Sequence, residues 1–125
     1  MAIKDLAKER SQFAYQKVEE ASKQSFKKDY KTYVKKIPMM VLTNGLGATF
    51  AFVYSKKKDG NAYDLIFKQT AQWLQQNEND FMKWIIDQES PEYRATTNEI
   101  LALFQWLKRF ADRMIEGEEN GEEKE

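Results

Sequence analysis

The sequence predicts an all-α protein, a compact bundle of five to six helices without strands, in a single domain over residues 1–115. Apolar side chains recur at steps of three and four residues along most of the chain, which is typical of helices with one buried face. Only two prolines and five glycines are present, too few for the many tight turns of an all-β fold. The hydrophobic residues, 42% of the 125, suffice for one core.

The first two helices are predicted from two amphipathic stripes. The first helix reaches about residue 22, with Phe13 and Val18 on its apolar face and a polar break after it. The second carries Tyr30 and Ile37 on its apolar face. Pro38 is expected to end or kink this helix, because proline removes a backbone donor and clashes with the preceding turn.

Residues 37–55 form a run without a charge. The run is close to the ~20 residues that a membrane span needs. Pro38, Asn44, two glycines and two threonines interrupt it, and lysines flank both ends, so a membrane span is disfavoured. We interpret the run as a helix that is apolar all round and occupies the centre of the bundle.

The elements that follow are separated by polar connections. Residues 56–61, KKKDGN, predict a loop because a charge run ends there in a turn signal. A helix is predicted from Tyr63 to near Gln76, on apolar residues at helical spacing. After the polar residues 77–80, Phe81 begins a shorter helix of two to three turns.

Two capping patterns compete for the start of the last helix. Ser90 resembles an N-cap followed by Pro91 at the first helical position. Thr96 and Glu99 have the spacing of a capping box. We favour a short turn over residues 91–95 and a long helix from residue 97.

The two halves of the chain carry opposite charges, although the formal net charge is zero. Residues 1–58 contain 13 Lys and Arg against 5 Asp and Glu, whereas residues 59–125 contain 7 against 15. Gly117 is expected to close the last helix. Residues 116–125 hold six carboxylates and no apolar residue, so they predict a disordered acidic tail. The basic half suits a polyanion.

The second helix carries the strongest functional signal, a lysine row on a side that differs from its apolar stripe. Lysines at a step of ~6 Å along a helix can follow a phosphate backbone and give affinity without reading sequence. The alternative is a solvated basic face, on a helical adaptor that binds protein only. Lys23 and the lysines at 56–58 enlarge the patch. The RNA-binding candidates from this argument are Lys27, Lys28, Lys31, Lys35 and Lys36.

Several kinds of chemistry are excluded by composition. The chain has no cysteine and no histidine, so it has no disulfide, no thiolate or imidazole metal site, and no Ser–His or Cys–His pair. The absence of cysteine fits a cytoplasmic protein. An enzyme would have to use carboxylates, Lys, Arg, Tyr or hydroxyls alone.

A small hydrolase or nuclease with a carboxylate site for Mg²⁺ is a weak alternative. Glu89 and Glu92 are one helical turn apart and Asp87 is close in sequence. Such sites usually need a second acidic pair across a bundle, and Glu99 and Asp112 are not at helical pairing distance. A surface or capping role is favoured, and we expect no metal, no cofactor and no catalytic residue.

Two further patterns are interpreted as structural. Asn44-Gly45-Leu46-Gly47 lacks the spacing of a phosphate loop, so its small residues more often allow close helix packing. Phe26, Tyr30 and Tyr33 alternate with lysines, as base-stacking residues can. Their helical spacing favours the core instead.

Two segments resemble a known family. The first is KIPMMVLTNGLG at 36–47, which continues into TFAF at 49–52. The second is YRATT at 93–97, followed by EIL at 99–101 and WLKRFA at 106–111. Both resemble the small subunit of the type III-B CRISPR effector complex, the Cmr complex, and the resemblance extends over roughly residues 3–115.

The resemblance implies an all-helical, non-catalytic subunit. Members of the family stack head to tail along the complex and help to hold the guide RNA–target RNA duplex through basic surfaces. The partners implied are other Cmr subunits, further copies of the chain, and both RNAs, with no membrane and no small-molecule substrate. By position in the second segment, Lys108, Arg109 and, less strongly, Arg94 become candidates for RNA or subunit contact.

Overall fold

The structure, a computed structural model, describes residues 3–116, with side chains from residue 6 onward. Six helices and no strand occur in this part of the chain, which confirms the predicted all-α bundle. Gly117 and nearly all of the predicted acidic tail lie outside the described residues. The helices are α1 (Ile3–Ala21), α2 (Lys27–Asn44), α3 (Leu46–Lys56), α4 (Ala62–Trp73), α5 (Phe81–Ile86) and α6 (Ser90–Met114).

The core forms where α6 packs along α1 and α2, with α3, α4 and α5 closing the other side. Phe50 on α3 meets Phe81 of α5 and Phe104 of α6 edge-on, with ring centroids 5.9 and 6.5 Å apart. Phe67 of α4 also meets Phe81, at 5.2 Å. All four rings are buried, and edge-to-face pairs of this kind add to the stabilisation from burial. This aromatic centre joins four helices.

The uncharged run is not one central helix, so that prediction is wrong. Pro38 does not end α2, which continues to Asn44. The break comes at Gly45, whose φ of +93° and ψ of 160° are open to glycine and strained for other residues. Nor is the run buried all round, since Met39 is 67% and Leu42 73% exposed. Asn44 is exposed at the end of α2 and belongs to no buried network.

The length of the uncharged run also raises the question of whether a described helix could span a membrane. None of the described helices combines the length and the apolar character that crossing a bilayer requires.

The last helix begins earlier than predicted, at Ser90, so the turn over 91–95 is wrong. Glu89 occupies the N-cap position, and its side chain makes no capping bond. Thr96 lies buried inside the helix, where its hydroxyl accepts a hydrogen bond from Gln88 Nε2 at 3.0 Å. Glu99 is turned toward another helix, so the capping box does not form.

Glu99 joins three helices through its carboxylate. It accepts bonds from Arg10 Nε at 2.7 Å and Arg10 Nη2 at 2.8 Å, both on α1. It also accepts from Trp73 Nε1 on α4 at 2.7 Å. Burial alone would raise the pKa of Glu99, but the bonds from Arg10 and Trp73 outweigh it and hold the pKa below its ordinary value.

A second polar link crosses the core nearby. The Tyr30 hydroxyl on α2 donates to Gln69 Oε1 on α4 at 2.6 Å. Gln69 Nε2 in turn donates to the carbonyl of Lys17 on α1 at 3.1 Å. Burial raises the pKa of Tyr30, so the hydroxyl keeps its proton and its donor role at any physiological pH.

We predict that Glu99→Gln lowers the free energy of unfolding by about 2 kcal/mol near pH 7, because charge-assisted bonds to a partly buried carboxylate are lost. The folded-state pKa of Glu99 is depressed, so its contribution is present above the unfolded value of ~4.3 and disappears as pH falls through the folded value. Urea unfolding at a series of pH values should show the two proteins converging below about pH 4.

The matched control is Glu19→Gln, an exposed carboxylate on α1. Its stability difference from the unmodified chain should stay small at every pH. If the free energy of unfolding of Glu99→Gln stays below that of the unmodified chain by the same amount down to strongly acidic pH, the role assigned to the ionised Glu99 carboxylate is wrong.

Candidate nucleic-acid interface

The lysine row on α2 follows the helix, but two of its members contact α6. Lys27 and Lys28 are exposed at the start of α2. Lys31 donates to the carbonyl of Ile115 at the C-cap of α6, at 2.8 Å. Lys35 pairs with Asp112 at 3.2 Å, with both side chains about half exposed. Cations at a helix C-terminus are favoured by its dipole, so these contacts also fix α2 against α6.

Lys36 does not belong to the row in space. Its Nζ lies 5.1 Å from the ring centroid of Tyr33 and 5.8 Å from that of Phe52 on α3. Lys56 approaches Phe52 at 5.8 Å as well. The predicted basic patch is therefore divided between two sides of α2, one facing α6 and the other facing α3 and α4.

The two basic residues predicted on α6 are both exposed. Lys108 lines a groove between α2 and α6 of about 300 Å³, together with Lys35 of α2. The structure thus brings together two candidates that are far apart in sequence. Arg109 lies beside Lys108 on the helix, whereas Arg94 lies near the opposite end of α6. The remaining groove residues are Pro38, Met39, Leu42, Leu101 and Gln105.

The exposed apolar residues of this groove were missed by sequence reasoning. Met39 and Leu42 lie in the uncharged run, where every side of the helix is apolar and periodicity cannot mark an exposed one. We define the α2–α6 basic face as Lys27, Lys28, Lys31, Lys35, Lys108 and Arg109.

The carboxylates considered for Mg²⁺ lie on a different surface. Asp87, Glu89 and Glu92 line a groove of about 480 Å³ beside α5, together with Trp84. Lys83, also in its lining, forms an ion pair with Asp87. Among the residues that the structure describes, no group of three or more carboxylates is placed to hold a metal ion. Nothing in this groove supports the Mg²⁺ alternative.

The two segments that carry the family resemblance touch each other. The N–H of Gly47, in the first turn of α3, donates to the Tyr93 hydroxyl at 2.7 Å. A Cβ on residue 47 would lie 3.3 Å from that oxygen, so glycine permits the close approach. The bond satisfies one of the donors left open at a helix N-terminus and ties α3 to the first turns of α6. Both segments therefore contain residues with a structural role.

The family model for a CRISPR-associated protein, Cas_Cmr5, matches residues 6–114. The chain belongs to the Cmr5 family. It is 34% identical over 107 residues to a protein from Thermus thermophilus described as CRISPR system Cmr subunit Cmr5, covering 85% of this chain and 92% of that protein. The family resemblance read from the sequence is thereby confirmed.

A solved structure agrees with the fold. The X-ray crystal structure of a CRISPR-associated Cmr5 family protein from Thermus thermophilus superposes with a TM-score of 0.82 at 32% sequence identity. The match covers 93% of this chain and all of that one. The chain thus shares the helical architecture of the Cmr5 family from end to end of the described bundle.

We predict that Tyr93→Phe destabilises this Cmr5 family member by about 1 kcal/mol, because the Gly47 N–H loses its partner while the ring stays packed. Urea unfolding followed by circular dichroism measures the change. Tyr15→Phe is the matched control, since Tyr15 is 49% exposed. Equal stabilities of the two variants would contradict the role of the Tyr93 hydroxyl.

Proposed function

We propose that the chain is a non-catalytic small subunit of a type III-B CRISPR ribonucleoprotein, acting in the cytoplasm in antiviral RNA interference. Its α2–α6 basic face helps to hold the guide RNA–target RNA duplex. The observation that supports this most is the position of Lys35 and Lys108 in one groove, which brings the lysine row of α2 next to Lys108 of α6.

The geometry of this face suits a phosphate backbone. Lys27, Lys31 and Lys35 follow one another at a step of ~6 Å along α2. Lysine contacts to phosphate give affinity that depends on salt and not on base sequence, as a protein needs when it must accept any guide. The ion pair of Lys35 with Asp112 is about half exposed, so a phosphate can compete for that ammonium group at small cost.

A non-catalytic role is supported by what the surface offers chemically. Without histidine or cysteine, acid–base work would fall to carboxylates, Lys, Arg, Tyr or hydroxyls. Asp87, one of the carboxylates considered for Mg²⁺, is paired with Lys83. Target cleavage would then belong to other subunits of the complex.

We further propose that copies of the chain stack through unlike surfaces. Met39 and Leu42 expose apolar area beside Lys35 and Lys108, whereas Ile86, 63% exposed, lies on α5. Positions such as Glu92 and Leu101 point to opposite sides of α6. Contact between two unlike surfaces gives a head-to-tail array rather than a closed dimer.

We predict that neutralising Lys108 and Arg109 to Gln weakens target-RNA binding by the assembled complex. The binding constant K falls as salt concentration rises. For each phosphate contact that is removed, the plot of log K against log salt concentration should become less steep by about one for every copy of the chain in the complex. Filter binding at a series of salt concentrations measures this, with Lys8→Gln, an exposed lysine on α1, as the control.

Unchanged affinity and salt slope in that variant would favour the alternative of a helical adaptor that binds protein only. RNA or nucleotide turnover by the purified chain on addition of Mg²⁺, lost on replacing Glu89 or Glu92, would overturn the non-catalytic role.

The stacking proposal has its own test. Leu42→Glu should lower the number of copies per complex, because a carboxylate in the apolar contact is costly to desolvate. Native mass spectrometry of the complex counts the copies, and Ala51→Glu, at an exposed position of α3, is the control. A complex with Leu42→Glu that retains its full number of copies would rule out this contact.

A further inference from the structure

A cluster of lysines and aromatic rings lies on the side of α2 that faces α3 and α4. Tyr33 of α2 and Tyr63 of α4 stack at a centroid distance of 4.0 Å. Phe52 of α3 meets Tyr63 edge-on at 5.8 Å. Lys36 and Lys56 each place an ammonium group over this group of rings. We call these five residues the aromatic platform.

Two ammonium groups lie over one ring here, and neither is paired with a carboxylate of the described residues. Both Nζ atoms lie 5.8 Å from the Phe52 centroid. No ion pair of Lys36 or Lys56 occurs in the described part of the chain. The neighbouring Lys57 differs, because it pairs with Asp64 at 3.4 Å.

The charged groups around the platform leave it basic. Burial, Tyr63 and the charge of Asp29, one turn earlier on α2, raise the pKa of the Tyr33 hydroxyl. The charge of Lys36, on the following turn, acts on that pKa in the opposite direction. An ammonium group without a carboxylate partner can form a charge-assisted bond to an anion, so the two lysines suit a negatively charged group.

We propose that the aromatic platform binds an unpaired nucleotide, with Lys36 and Lys56 on its phosphate and its base stacked on Phe52. The contacts of the ammonium groups with the rings are weak at exposed positions, whereas their bonds to a phosphate are charge-assisted. Moving both lysines to a phosphate frees the face of Phe52, and any base can stack there.

The platform favours a single strand over a duplex. In a duplex the bases are stacked on one another and have no free face to offer to a ring. An acidic protein segment could satisfy the two lysines, but it would leave the aromatic surface unused. A single-stranded RNA flank uses both the charge and the rings.

This site is separate from the α2–α6 basic face. Lys35 and Lys36 are consecutive and therefore diverge by about 100° around α2. Lys35 meets Asp112 of α6, whereas Lys36 meets Phe52 of α3. The inference rests on the proposed function of RNA contact. It adds a second RNA-binding site, which uses base stacking as well as charge.

The test uses the Cmr complex assembled with the full chain and a target RNA that carries a single-stranded flank. The variants are Phe52→Leu, which removes the ring but keeps an apolar side chain, and Lys36→Gln with Lys56→Gln. Each should weaken flank-dependent binding by about tenfold, with duplex-only target unaffected. Tyr15→Leu and Lys8→Gln are the matched controls, an exposed ring and an exposed lysine on α1.

A second measurement does not depend on the variants folding. A 4-thiouridine in the flank should crosslink to the platform under ultraviolet light, and mass spectrometry should place the adduct at Phe52, Tyr63 or a neighbouring residue. Adducts confined to other surfaces would overturn the proposal.

The outcomes separate this inference from the function on which it rests. If Lys108→Gln with Arg109→Gln weakens duplex binding while the platform variants bind the flank normally, the proposed function stands and the platform does not. If no variant changes any RNA binding, both fail. If polyglutamate abolishes the crosslink between the flank and the platform while oligouridine does not, the platform binds an acidic protein segment and not RNA.

Discussion

The bundle depends on one partly buried carboxylate that three helices share. A charge removed from water must be compensated, so Glu99 is stable inside α6 only while Arg10 of α1 and Trp73 of α4 donate to it. Apolar packing alone would tolerate small shifts of α6 along its neighbours. The bidentate geometry of the guanidinium does not, because both of its bonds need one register between α1 and α6.

Because α6 is fixed, its C-terminal end sets the position of the α2–α6 basic face. Lys31 reaches the carbonyl of Ile115 and Lys35 reaches Asp112, so these two lysines are held in one orientation against α6. Such residues serve the fold and the proposed interface at the same time. Lys27, Lys108 and Arg109 are exposed, and they are where charge can change with the least effect on stability.

The sequence was informative where a helix has one apolar side. The apolar residues predicted for α2, such as Tyr30 and Ile37, are fully buried as their spacing requires. Within 37–55 no residue is charged, so neither the break at Gly45 nor the exposure of Leu42 is marked by a charged side of the helix. At Thr96 a local capping pattern was present, but the long-range bond of Glu99 to Arg10 prevailed over it. Contacts of this kind join residues far apart in the chain and leave no local signal.

The opposite charges of the two halves have a structural use as well as a proposed functional one. Arg10 with Glu99, Lys35 with Asp112, and Lys57 with Asp64 each join a basic residue of the first half to an acidic residue of the second. Part of the charge difference is therefore neutralised inside the bundle and ties the two halves together. Basic residues of the first half also lie on two sides of α2, one beside α6 and one beside α3 and α4. Because folding divides them in this way, a single chain carries two separate basic surfaces.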